Sequence, residues 1–141
     1  MIVCLCAGVT GCVEPTVHDT PSGRPEVTLS TKNMDAVRSA LINQMLNKGY
    51  SITRDTGHSV AFDRPVDNAL GAALFGSEYD ATPNARIVYT LAALDRSTRV
   101  VADIAIITNP GSAFERQTNM NSNQESVKVQ EMLDGLKRAL R

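Results

Sequence analysis

The sequence predicts an α+β domain, an antiparallel sheet of about five strands with two long helices packed on one face. Two stretches of helical periodicity, residues 33–48 and 122–140, carry half of that expectation. Two long alternating runs, residues 86–94 and 98–108, carry the other half. The order of strand, helix, hairpin, crossover, hairpin and helix suits an antiparallel sheet with its helices segregated to one side.

Each element has its own reason. In 26–30, Val27 and Leu29 fall on one face of a short strand. Thr31 to Asn33 offers helix N-caps, and Met34, Val37, Leu41, Met45 and Leu46 then recur at helical spacing. Gly49 after Lys48 signals the helix end, with Tyr50 as the hydrophobic residue that follows. Residues 50–63 read as a hairpin: Tyr50, Ile52 and Arg54 alternate into Asp55-Thr56-Gly57, and Val60 and Phe62 alternate out. Asp67 is a candidate cap for a short crossover helix carrying Leu70, Leu74 and Phe75, although Gly71 and Gly76 weaken it.

Ile87, Tyr89, Leu91 and Ala93 share one strand face. Val100, Ala102, Ile104 and Ile106 share the face of the next strand, across the turn Asp95-Arg96-Ser97. Asn109-Pro110-Gly111 ends that pair, and 114–118 offers a further edge strand. Ser122 and Glu125 have capping-box spacing ahead of the stripe Val129, Met132, Leu133, Leu136 and Leu140. Lys137, Arg138 and Arg141 complement the dipole at that helix's C-terminal end.

Composition bounds the class. A chain of 141 residues suffices for one domain with a real core. Trp is absent and only three Tyr and three Phe occur, so that core is aliphatic. The net charge is −1 with both signs interspersed, which argues against a nucleic-acid partner. After residue 12 no run reaches the roughly 18 apolar residues of a membrane span.

The apolar N-terminus leads into Val9-Thr10-Gly11-Cys12 and then a Pro-containing polar stretch. This resembles the lipobox of bacterial lipoproteins, in which the Cys is acylated and becomes the new N-terminus. The resemblance implies a signal segment at 1–11, lipidation at Cys12, a lipidated tether at 12–25 and a domain at 26–141. A secretory signal has a basic region before an apolar run of about 7–15 residues, and no Lys or Arg precedes Cys12. Either a basic segment lies upstream of the start given, or the four-residue match is chance.

Val13 is not the Asp linked with inner-membrane retention in enteric lipoproteins. The resemblance therefore implies an outer-membrane, periplasm-facing location. The order of elements is also similar to the helix-grip domains of some outer-membrane-assembly lipoproteins, in topology alone. All three Cys lie in the first 12 residues, so the domain itself has none.

No enzyme chemistry emerges from the residues. Gly71 to Gly76 lacks the Lys-Ser/Thr ending of a phosphate loop, and no Ser sits in a nucleophile elbow. With two His and a Cys-free domain, metal and His-based nucleophilic sites are hard to build. His18 is expected in solvent on the tether and His58 beside the hairpin turn. Asp63, Asp67, Asp80 and Asp103 have no spacing that pairs them as acid and base.

The expectation is thus a non-enzymatic lipoprotein without cofactor or metal, an accessory module contacting another envelope protein. Two alternatives stand beside it. One is a carrier of a small apolar ligand between sheet and helix, with Leu70, Leu74 and Phe75 as partner or ligand contacts. The other is a prophage- or plasmid-borne lipoprotein that blocks an uptake or secretion machine.

Overall fold

The computed structural model describes residues 18–66 and 82–140. Their architecture is α+β, an antiparallel six-stranded sheet with two helices. The elements are β1 (Glu26–Leu29), α1 (Met34–Asn47), β2 (Ser51–Asp55), β3 (Ser59–Pro65), β4 (Asn84–Ala93), β5 (Thr98–Thr108), β6 (Arg116–Asn119) and α2 (Glu125–Ala139). The sheet runs β1-β5-β4-β3-β2, and β6 continues the β1 side of β5. β1 pairs with residues 98–101 of β5, and β6 with residues 105–108. The expected crossover helix at 67–76 lies outside the described residues.

Helix α1 begins and ends where its local chemistry says it should. The Asn33 side chain accepts from the Ala36 N–H at 3.0 Å, satisfying one orphan donor of the first turn. At the other end Gly49 takes φ +84°, a conformation that Cβ disfavours. That turn lets the Gly49 N–H reach the Leu46 carbonyl and the Tyr50 N–H reach that of Met45, a Schellman closure.

The start of α2 differs from expectation. Ser122 makes no capping box; the Asn123 side chain instead accepts from the Glu125 N–H at 3.0 Å. The helix opens two residues later than a Ser122 cap would place it, with Gln124 at the N-cap, so Glu125 falls at the first helical position instead of the third.

The core follows the alternation. Ile87, Tyr89 and Leu91 face Ile104, Ala102 and Val100 in register. Val60 and Phe62 of β3 lie beside Tyr89 and Ile87. These residues form one buried cluster with Val37, Leu41 and Met45 of α1 and Val129, Leu133 and Leu136 of α2. Phe62 and Tyr89 meet edge to face with centroids 6.0 Å apart. β2 breaks the pattern: its register slips between Ile52 and Arg54, and Ile52 is exposed despite its place in the alternation.

The other sheet parity carries charge. Glu26, Asp63, Arg86, Arg99 and Asp103 alternate there with buried Ala61, Val101, Ala105 and Ile107. Arg86 grips Asp63 with two bonds at 2.7 and 2.8 Å, and Arg99 grips Glu26 at 2.6 and 3.0 Å. Both arginines are held more firmly protonated by those carboxylates. Arg24, from the segment before β1, reaches both Asp103 carboxylate oxygens from a single guanidinium nitrogen, at 2.8 and 2.7 Å.

That segment overturns one expectation. His18, read as a solvated tether residue, is buried, and its Nε2 lies 2.6 Å from the Ser126 hydroxyl. Pro25 is fully buried and its carbonyl accepts from the Ala102 N–H. Among the described residues, packing on the domain therefore begins at His18. Polar composition hid this because the stretch docks through a few specific side chains.

Candidate functional site

Residues of both helices and of the sheet line a pocket of about 510 Å³. Its floor is the end of the sheet where β4 begins and β5 finishes, presenting Ala85, Ile87, Ile104 and Ile106. Met45 at the end of α1 and Val129 and Met132 of α2 form the walls, with Val66 and Met120 closing the sides. The alternation that builds the core also builds this floor. The same parity that fills the middle of the sheet supplies the buried side of this lining, where α1 stops at its glycine and α2 has only begun.

Polar groups gather where the lining is exposed: Lys48, Tyr50, Arg64, Asn123, Glu125 and Lys128. The Arg64 guanidinium sits 4.9 Å from the Tyr50 ring centroid and donates to the Lys48 carbonyl at 3.1 Å. Lys128 pairs with Glu125 at 2.9 Å one helical turn away. Burial pushes the Tyr50 phenol above its ordinary range, so it stays protonated and can donate. Three cations and one carboxylate thus lie around an apolar hollow.

The residues singled out from sequence fall elsewhere. Cys12, Leu70, Leu74 and Phe75 lie outside the described residues, as do Asp67 and Asp80. Asp63 and Asp103 do not combine as acid and base: each is engaged by an arginine, Arg86 or Arg24. His58 is exposed beside the hairpin turn, where its carbonyl accepts from the Leu91 N–H.

His18 and Ser126 have the elements of a nucleophile and its base. However, Ser126 is fully buried and its hydroxyl also contacts the Asn123 carbonyl at 2.6 Å, so no substrate can reach it. Among the described residues no cluster of three His, Cys, Asp or Glu could hold a metal ion. No described helix is long and apolar enough to cross a membrane.

Sequence reasoning missed Lys48, Tyr50, Arg64 and Met120 as site residues. The available signal was weak: large apolar residues placed at strand ends, beside a helix that stops short at Gly49. Set beside known proteins, the chain matches no family model, and no curated protein matches its sequence.

Proposed function

We propose that the chain is a non-enzymatic lipoprotein of the outer membrane. It is anchored through Cys12 and carries a small apolar ligand in the cavity beneath its helices. In this reading both helices lie over one face of the sheet and the ligand occupies the gap they leave at one end. The observation that carries the proposal is the cavity itself, about 510 Å³ with a mainly apolar lining. Ligand sites commonly run from about 300 to 1,000 Å³, whereas a solidly packed core leaves few voids larger than a water.

The anchor fits the same arrangement. Cys12 precedes the docked His18 by six residues, a reach of at most about 20 Å. His18 is pinned to the N-terminal end of α2, the end whose Asn123 and Glu125 line the cavity. A lipid on Cys12 would hold that end of the domain close to the bilayer. The partner implied is an envelope protein that supplies or receives the ligand.

Two experiments test the two halves. A neutral fluorescent probe such as N-phenyl-1-naphthylamine is expected to bind the purified domain saturably. Ala85→Trp, at a half-buried position of the lining, is expected to abolish binding, with circular dichroism checking that the fold is kept. Absence of saturable binding by the unaltered protein would sink the carrier reading. Separately, Cys12→Ser is expected to move the protein from the membrane pellet to the soluble fraction. A Ser variant that still pellets would remove the anchor.

A further inference from the structure

We infer that the cavity takes a single-chain amphiphile with an anionic head, a carboxylate or phosphate, seated with its head at the mouth. This rests on the carrier reading above and names its ligand class. Depth and mouth differ in chemistry. The interior surfaces come from Ile87, Ile104, Ile106, Val129 and Met132, which offer no polar atom beyond their backbone. A sugar or nucleotide pushed inward would leave its hydrogen-bonding groups unmet, at a cost that apolar contact does not return. An aliphatic chain meets no such penalty.

The head is selected at the mouth. Lys48, Arg64 and Lys128 are exposed there, against the single carboxylate of Glu125. Arg64 is fixed in place by the Tyr50 ring and the Lys48 carbonyl, so its outer N–H groups lose little freedom when an anion arrives. The Tyr50 hydroxyl, kept protonated by burial, is a further donor at the same rim. A cationic head would meet net repulsion, and a neutral one would forgo charge-assisted bonds. The size also fits, since about 510 Å³ lies in the range of small-molecule sites.

The test uses calorimetric titration of the purified domain with four twelve-carbon chains kept below their micelle concentrations. They are laurate, dodecyl phosphate, dodecanol and dodecyltrimethylammonium. The expected result is that one or both anions bind at least about tenfold tighter than the alcohol and the cation, the worth of one charge-assisted hydrogen bond. Lys48→Gln with Lys128→Gln leaves one cation against one carboxylate at the mouth and is expected to erase that preference. Both side chains are exposed, so the fold tolerates the change. Which anion binds tighter distinguishes a carboxylate from a phosphate head.

Equal binding of all four chains, unaltered in the double variant, overturns the anionic head and leaves the carrier reading standing. Tightest binding of the cation overturns the head assignment in the same way. Failure of every chain, with the neutral probe also unbound, overturns the carrier reading and the inference together.

Discussion

Gln130 of α2 closes the open edge of the sheet, and its removal offers a sharp test of how the site is held together. Its Oε1 accepts from the Glu26 N–H at 2.8 Å and its Nε2 donates to the Glu26 carbonyl at 3.0 Å. Glu26 lies on β1, whose other side pairs with β5, so these are the groups an edge strand would otherwise present unpaired. The side chain acts as a substitute strand. It also fixes the height of α2 over the sheet, and the adjacent Val129 and Met132 are cavity walls.

Gln130→Met keeps the stem and removes both bonds. A buried polar group left unmet costs about 1–3 kcal/mol, and Glu26 is only 6% exposed. The two groups together should therefore cost about 2–4 kcal/mol, less if water reaches one of them. The assay is urea unfolding followed by circular dichroism, read as a shift in midpoint at constant m. Glu131→Met, at an exposed position of the same helix, is the control and should stay within about 0.5 kcal/mol. If Gln130→Met costs no more than that control, the amide does not close the edge and the account of how α2 is positioned is wrong.

Glu26 also gives a pH prediction. The Arg99 guanidinium, aided by the Ser22 N–H, holds its carboxyl below the ordinary value of 4.5 against an opposing effect of burial. The folded value is depressed, so the contribution to stability is complete above 4.5 and is lost as pH falls through the lower folded value. Glu26→Gln should flatten the stability curve between 4.5 and the lower folded value, and unfolding at stepped pH would show an unchanged slope there if the idea is wrong. Gly49→Ala places Cβ on a φ of +84° with its nearest neighbour, Arg64 Cδ, at a comfortable 3.7 Å, so only backbone strain opposes it. It should cost about 1–2 kcal/mol in thermal unfolding, and a neutral result would deny the left-handed turn. Among the described residues, Gln44 buries an Oε1 that finds no hydrogen-bond partner. Gln44→Met should raise the unfolding free energy by about 1 kcal/mol, and a loss of stability would reveal a partner for that oxygen.

Periodicity determined the two helices and the two long strands. Val37, Leu41 and Met45, and Val129, Leu133 and Leu136, are buried at the spacing their sequence displays. The two long strands pair in the register their alternation demands, because a slip of one residue would turn Tyr89 and Ala102 out of the core. Gly49 ended α1 for a reason local to three residues, and such reasons are visible in a string of letters. Periodicity says which side of an element is buried, not what that side meets.

Only the tertiary structure decided the rest. Gln130 and Glu26 are 104 positions apart, Arg24 and Asp103 are 79 apart, and His18 and Ser126 are 108 apart. No local pattern marks such pairs, since each residue taken singly looks like an ordinary solvated polar side chain. The β2 bulge likewise undid a clean alternation and left Ile52 exposed. The cavity was least legible of all. It is the space remaining where α1 stops, α2 begins and the strands run on, and its volume depends on distances between elements. Sequence pattern encodes the surfaces of those elements; the gap between them exists only once they have packed.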